Sequence, residues 1–418
     1  MTARTERLDV YFGAELVGTI HDASPVAFEY TLSWLERAER MAIAAIPLQP
    51  GRSDAQEVQA FFENLLPEGE LRHYLAERRK ASTLFSLLLE VAGDTAGGFV
   101  IVPGGEVPAR PSYRATSWKA IAALLGKTSA AAIDIQVGDA RVSLAGAQDK
   151  TSIALFDDGV PRLPQGTSPS THILKPDIRR LAKVWHSAAN ETLVMRAAAH
   201  CGLPTAEVFY EPHTQSCLVR RFDRMARPDG TLARLVQYDL CQLAGLASEK
   251  KYEKEGGPDL ARCAALIRRY SAQPAVDLRH FVGWILFNLY VGNNDSHAKN
   301  LSLYNLPGHG VALAPFYDLM CTRLYPGLSA EFAFSIGGEF KPGSMNQEHL
   351  VALAAQLGMR PQFLAQQAAD LAHRLPAALE QAVHEVKPDL PHSAWALVAK
   401  LRQFVRSTTK KAAARLVA

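Results

Sequence analysis

The sequence predicts an α+β protein in which a β-rich lobe is followed by a larger, all-helical lobe, with an additional α/β subdomain at the N-terminus. Three observations predict it. Short β-prone runs crowd the stretch from Arg141 to Phe222. From Leu260 onward, apolar residues recur at helical spacing with few breaks. A stretch rich in proline and glycine, Pro103 to Ser112, separates an N-terminal part from the rest. The expected domains are residues 1–105, 106–225 and 226–418.

Each part has its own local signals. Leu8 to Phe12 and Leu16 to Ile20 flank Gly13 and read as a hairpin. Phe28 to Arg40 is mixed, a strand passing into a turn or helix. Val58, Phe61, Phe62, Leu65 and Leu66 repeat at helical spacing up to Pro67. Leu71 to Arg79 and Leu84 to Ala92 also read as helices, the second stopped by Gly93. In the middle part, Ser152 to Phe156, Thr171 to Leu174, Val208 to Tyr210 and Cys217 to Phe222 read as strands. Asn190 to Cys201 reads as a helix with Leu193, Val194, Ala197 and Ala198 on one face and Gly202 as its cap. Helices are then expected over Leu260–Tyr270, Leu278–Val291, Gln347–Leu357, Pro361–Arg374, Ala377–Val386 and Ala394–Val405.

Composition narrows the class of protein. With 48% hydrophobic and 21% charged residues, the chain is an ordinary globular one. A net charge of +3 neither demands nor excludes a nucleic-acid partner. The five cysteines are odd in number, scattered and form no C-x-x-C pair, which fits reduced thiols and no zinc site. The charged N-terminus does not read as a signal peptide, and none is expected. The apolar run Phe281 to Val291 is far shorter than the ~20 residues a membrane span needs. A soluble, cytoplasmic protein without membrane association is expected.

The most informative segment is Gly292-Asn293-Asn294-Asp295-Ser296-His297-Ala298-Lys299-Asn300, which turns abruptly polar after an apolar helix and is expected to be exposed. Asp295 and Asn300 stand in the spacing D-x-x-x-x-N. In phosphoryl transfer by protein kinases, that spacing supplies a carboxylate that accepts the substrate hydroxyl proton and an amide that binds magnesium. Mg²⁺ is a hard cation and takes oxygen ligands. Asp318 follows the β-like run Val311 to Leu313 and offers a second carboxylate, without the glycine of the kinase D-F-G motif. A polar junction between helix and loop also produces this pattern, and the spacing alone does not choose between the two.

Ser143 to Lys150 contains small residues between two strands, but neither a G-K-[ST] nor a G-x-G-x-x-G motif. It suits backbone amides approaching phosphate, and equally an ordinary hairpin turn. Lys175, at a strand end before Pro176, is placed to reach α- and β-phosphates, or else is a solvated surface lysine.

Taken together, these residues resemble the HipA-like serine/threonine kinase toxins of bacterial type II toxin–antitoxin systems. The resemblance runs from the first strands to near the C-terminus. It is carried by Phe61 to Gly69, Ser143 to Thr151, Thr171 to Lys175, Arg221 to Arg224, Asp295 to Asn300 and Tyr317-Asp318. It implies a protein-kinase-like two-lobed fold that uses ATP and Mg²⁺. Asp295 would be the proton acceptor, and Asn300 and Asp318 the metal ligands. Ala145, Gly146, Ala147, Gln148, Asp149 and Lys150 would close over the phosphates, and Lys175 would contact them. His297, Ala298, Lys299 and Tyr317 would line the nucleotide site. Arg220, Arg221 and Phe222 would form the hinge against adenine, largely through backbone groups. Arg220 departs from the acidic residue usual there. Ser143 would be the site of autophosphorylation.

The resemblance further implies a HipB-like helix-turn-helix antitoxin as partner, with operator DNA contacted mainly through it. An aminoacyl-tRNA synthetase would be the protein substrate, whose phosphorylation leads to growth arrest and persistence. Two other readings compete. One is a catalytically weak pseudokinase or scaffold in an antitoxin–operator complex, against which Lys175, Asp295, Asn300 and Asp318 all stand. The other is a small-molecule kinase, which would lack the Phe61 to Gly69 segment. A magnesium-dependent nuclease or phosphatase would want a denser carboxylate cluster. The basic tail Lys410, Lys411 and Arg415 suits phosphate contact or a solvated helix end.

Phosphorylation of Ser143 would add about −1.5 to −2 charges beside bound phosphates and repel them. Ser143→Asp is therefore expected to lose ATP affinity in calorimetry while Ser143→Ala keeps it. Equal affinities in the two variants would refute this role.

Overall fold

The computed structural model describes residues 6–37, 41–68, 72, 76, 77, 83–91, 93–127 and 148–417. Ser143, Ala145, Gly146 and Ala147 lie outside the described residues, as does most of the helix expected over Leu71 to Arg79. The chain forms two compact units. The first comprises residues 1–174 and 221–249, the second residues 175–220 and 250–418. The chain passes between them three times, within the strand His172–Pro176, between Arg220 and Arg221, and between Glu249 and Lys250.

In the first unit, the strands Arg7–Phe12, Glu15–His21, Ala27–Tyr30 and Phe99–Pro103 form an antiparallel sheet in which the first strand lies between the second and the fourth. The expected hairpin is present, turning at Gly13 and Ala14. Helix Gln56–Asn64 turns its apolar side inward. Phe61 and Phe62 pack edge-on at 5.1 Å, and Phe62 meets Phe28 at 5.6 Å. Asn64 is buried because its amide is fully used, donating to the carbonyls of Ala60 at 2.7 Å and Leu246 at 2.8 Å. Three further antiparallel pairs lie in this unit: Ser112–Ala115 with Arg162–Gln165, Thr151–Ile153 with the start of His172–Pro176, and Arg224–Ala226 with Leu232–Arg234.

A buried ion cluster crosses this unit. Asp94, fully buried, accepts from Ser170 Oγ at 2.6 Å, Arg224 at 2.8 Å, Arg234 at 2.5 Å and Arg221 at 3.2 Å. Asp223 accepts from Arg221 at 2.8 Å and from the Gly97 amide at 2.7 Å. Burial alone would raise both carboxyls, but the guanidinium groups outweigh it. Asp223 is held down at about 2, and Asp94 well below the usual aspartate range.

The second unit is mainly helical. Its helices are Ser187–His200, Leu260–Tyr270, Pro274–Val291, Gln347–Gln356, Pro361–Val386 and Trp395–Val417. It also holds the hairpins Val208–Glu211 with Ser216–Arg220 and Ser302–Leu306 with Gly310–Leu313. The two helices expected on either side of Pro376 are one, spanning Pro361–Val386. The missing amide costs a few kcal/mol, yet the buried stripe Leu371, Leu375, Ala378, Leu379 and Ala382 runs through it without changing phase. The last helix runs beyond the expected Val405 to Val417, where its buried side is Leu397, Leu401, Val405, Ala412 and Leu416. Within the basic tail, Lys410 and Lys411 are exposed, and Arg415 donates to the carbonyls of Gly343 and Pro342. No helix among the described residues is long and apolar enough to cross a membrane.

The Asp94 cluster yields a stability test. A carboxylate with a depressed folded pKa contributes stability above its unfolded value of ~3.9 and loses it as pH falls through the folded value. Acid is therefore expected to weaken the first unit progressively from pH ~4 down to about 2, where Asp223 titrates. Asp94→Ala leaves buried guanidinium groups facing one another, and should cost about 3–5 kcal/mol at neutral pH in denaturant unfolding.

Candidate active site

The candidate site in the second unit centres on Lys175, at the end of strand His172–Pro176. Its ammonium donates to Glu191 Oε1 at 2.6 Å and to Asp318 Oδ1 at 2.8 Å. The Lys175 and Glu191 side chains are 8% and 2% exposed, whereas that of Asp318 is 41% exposed. Burial by itself would lower the Lys175 pKa, but Asp318 and Glu191 more than offset it. The value stands above the ordinary lysine one, so the ammonium is charged at neutral pH. Burial, reinforced by Glu191, pushes the nearby Cys217 thiol up and keeps it protonated.

Local chemistry places these three groups. Asp177, two residues past Lys175, accepts from the Ala188 amide at 2.9 Å and caps the start of helix Ser187–His200. One turn further along that helix sits Glu191, facing back to Lys175. The neighbouring Asn190 exchanges two hydrogen bonds with Cys321, donating to its carbonyl at 3.0 Å and accepting from its amide at 2.9 Å. The helix is thereby fixed to the segment just after Asp318. Before Asp318, Phe316 exchanges backbone bonds with the chain at Pro204 and Ala206, both 2.8 Å. Asp318 itself has φ +60°, a left-handed conformation that aspartate tolerates better than most residues.

The polar loop follows helix Pro274–Val291. Gly292 ends that helix at φ +71°, and a Cβ there would lie 2.6 Å from the Phe404 ring. Only glycine meets both demands. Asn293 donates to Asn288 Oδ1 at 2.8 Å and, more weakly, to the Asp318 carbonyl at 3.4 Å. Asn294 is held by Thr322 Oγ1 at 2.8 Å and donates to the Ser329 carbonyl at 2.9 Å. Asn300 donates from Nδ2 to the Asp295 carbonyl at 3.1 Å, which closes the D-x-x-x-x-N loop on itself. Tyr317 donates to the Lys299 carbonyl at 2.7 Å and shares a 2.7 Å hydrogen bond with Ser302 Oγ. The Lys175–Asp318 pair and the Asp295–Asn300 loop are thus joined through Asn293 and Tyr317.

The loop was expected to be exposed. Asp295 is, but Asn293, Asn294, Ser296, His297, Ala298, Lys299 and Asn300 are buried. Polar sequence reads as exposed only while its hydrogen bonds cannot be counted, and here backbone carbonyls and neighbouring amides satisfy much of it. Among the hinge residues, the Arg221 guanidinium is 2% exposed and committed to Asp94 and Asp223, and its amide donates to Thr171. Its side chain is therefore closed to any ligand. The Arg220 amide donates to the Glu207 carbonyl, and its guanidinium pairs with Glu207 at 3.0 Å. Gln148, Asp149, Lys150, Arg221 and Phe222 belong to the first unit, and the remaining described site residues to the second.

Sequence reasoning missed Glu191, Asn190, Asn288 and Asn293. The kinase template, which pairs a strand lysine with a helix glutamate, could have found Glu191, the only acid in helix Ser187–His200.

The donor set suits a magnesium ion. Asp318 supplies a partly exposed carboxylate and Asn300 an amide oxygen, both hard donors. No group of three or more His, Cys, Asp or Glu side chains able to hold a metal occurs among the described residues. Magnesium at such donors would be held by one or two protein oxygens together with substrate phosphates.

The chain is similar to known proteins over most of its length. The HipA N-terminal domain profile matches residues 8–102, and the HipA-like C-terminal domain profile matches residues 142–381. The Sinorhizobium fredii protein Y4mE is 34% identical over 375 residues, covering 86% of this chain and 87% of that protein. The serine/threonine-protein kinase toxin HipA of Shewanella oneidensis is 29% identical over 406 residues, covering 93% and 92%. The solved structure of the Shewanella oneidensis MR-1 HipA, HipB and operator DNA complex contains a chain that superposes with a TM-score of 0.82. Identity to that chain is 27%, with 97% of both chains covered. The α+β fold expected from the sequence is the fold of this neighbour.

Proposed function

This chain belongs to the HipA family of serine/threonine kinase toxins, and from that premise we propose that it transfers the γ-phosphate of ATP to serine or threonine hydroxyls of a protein. The observation that carries the reading is the Lys175–Glu191–Asp318 ion triad joined to the Asp295–Asn300 loop. A strand lysine paired with a helix glutamate is the arrangement that positions nucleotide phosphates in protein kinases.

Each residue then has a defined task. Glu191 holds the Lys175 ammonium toward the α- and β-phosphates. Asp295, the exposed carboxylate of an otherwise buried loop, orients the attacking hydroxyl and accepts its proton. Asn300 and Asp318 would hold magnesium, which neutralises phosphate charge when bound. Asn293 and Tyr317 keep loop and metal ligand in register. His297, Ala298 and Lys299 line the site from within the loop. From the family resemblance, Ala145 to Lys150 would contact phosphate and backbone groups around Arg220 to Phe222 would contact adenine. Ser143 is the proposed autophosphorylation site.

In the cell we propose a toxin role. The protein substrate would be an aminoacyl-tRNA synthetase, and its phosphorylation would arrest translation and growth and favour persistence. A HipB-like antitoxin would neutralise the chain and carry it to operator DNA. The Shewanella HipA chain was solved together with HipB and operator DNA, which supports that partnership.

Phosphoproteomics after induced expression tests the reading. Wild type should produce new phosphoserine or phosphothreonine sites and growth arrest, and Asp295→Gln should produce neither, since general-base loss costs about 10²–10⁴-fold in rate. The same phosphosites in both strains would contradict the assignment of Asp295.

A further inference from the structure

The segment Lys250 to Gly257 lies against the Asp295 loop, and nothing in the catalytic assignment accounts for it. The Tyr252 hydroxyl donates to Asp295 Oδ1, a carboxylate oxygen of the proposed base. The Tyr252 ring meets the His297 ring edge-on, with centroids 5.1 Å apart and planes at 88°. The Lys251 carbonyl accepts from the Ala298 amide at 3.3 Å. The segment therefore touches the loop at three residues, Tyr252 at Asp295 and His297 and Lys251 at Ala298.

Its own backbone is fixed as well. The Tyr252 carbonyl accepts from the amides of Glu255 at 3.0 Å and Gly257 at 2.9 Å. The next residue, Glu253, accepts from the Ser335 amide and hydroxyl, both at 2.7 Å. Lys254 pairs with Glu331 and lies over the Phe340 ring at 4.4 Å. A hydroxyl presented from so constrained a segment is suited to orienting its acceptor. Asp295 is the exposed member of an otherwise buried loop, and the Tyr252 hydroxyl meets its carboxylate there.

We propose that Tyr252 is a positioning residue, which holds the Asp295 carboxylate in the rotamer that receives the substrate hydroxyl. The inference rests on the reading of Asp295 as the catalytic base. A base must lie within hydrogen-bond reach of the proton it removes, so a carboxylate free to rotate spends less time in productive geometry. The contact acts on the acceptor side of the reaction and leaves Lys175 and Asp318 untouched. Its loss should lower the rate at saturating ATP and not the affinity for ATP.

The experiment follows phosphate transfer from radiolabelled ATP to the full-length chain's own hydroxyls, reading the saturating rate and the half-saturating ATP concentration. Tyr252→Phe keeps the ring against His297 and removes only the hydroxyl. It should lower the saturating rate by about 10-fold or more, within the range that general-base geometry commands, with half-saturation unchanged. Asp295→Gln serves beside it and should abolish transfer. Wild-type kinetics for Tyr252→Phe with Asp295→Gln inactive would overturn the role of Tyr252 alone. A raised half-saturating ATP concentration with an unchanged rate would also overturn it, by making Tyr252 part of the nucleotide site. An active Asp295→Gln would overturn the underlying reading of the base.

Discussion

The site depends on one buried ammonium held between two carboxylates. Taking Lys175 and Glu191 out of water costs several kcal/mol per ion, and their attraction offsets this only with close, well-aligned hydrogen bonds. The 2.6 Å contact to Glu191 and the 2.8 Å contact to Asp318 provide them. The two carboxylates do not play the same part. Glu191 is sealed in its helix at 2% exposure and faces Lys175. Asp318 is 41% exposed and keeps access to solvent and to a ligand. A second acid that stays partly exposed beside the lysine suits the proposed role of holding a cation.

Precision in such a site comes from what surrounds it. The Asn190–Cys321 exchange, the Asp177 cap and the Phe316 backbone bonds tie the helix of Glu191, the strand of Lys175 and the segment of Asp318 to one another. On the other side, Gly292, Asn288 and Asn293 set how the chain leaves helix Pro274–Val291. The polar loop is satisfied in part by neighbours close in space and distant in sequence, Thr322 and Ser329 among them. In the first unit, the Asp94 and Asp223 cluster does comparable work, joining residues 94–97, 170 and 221–234. There the motif around Arg221 to Arg224 is a structural knot, whatever else its backbone does.

How much of this was legible in the sequence follows from the range of each interaction. The N-terminal hairpin, helix Leu260–Tyr270 and the D-x-x-x-x-N spacing are short-range patterns and could be read directly. The burial of the loop around Asp295 could not, because it depends on Thr322, Ser329 and Tyr317 arriving from elsewhere. Glu191 was hidden because it sits in an alanine-rich helix, where a single acid reads as a solvent-facing residue. Its partner lies across the fold and not along the helix. Pro376 misled for the opposite reason: a strong local breaker is overridden when the buried stripe on both sides stays in phase. Tyr252 carried no signal, since nothing in its neighbours along the chain points to Asp295.

The most direct test of the central claim is whether Asp318 couples a metal to the nucleotide held by Lys175. Calorimetric titration of a non-hydrolysable ATP analogue, with and without magnesium, into wild type and Asp318→Asn measures this. The account predicts that magnesium strengthens binding to wild type and that this gain is largely lost in Asp318→Asn, while binding without magnesium persists in both. The same magnesium gain in the two proteins, or no nucleotide binding by wild type, would contradict it.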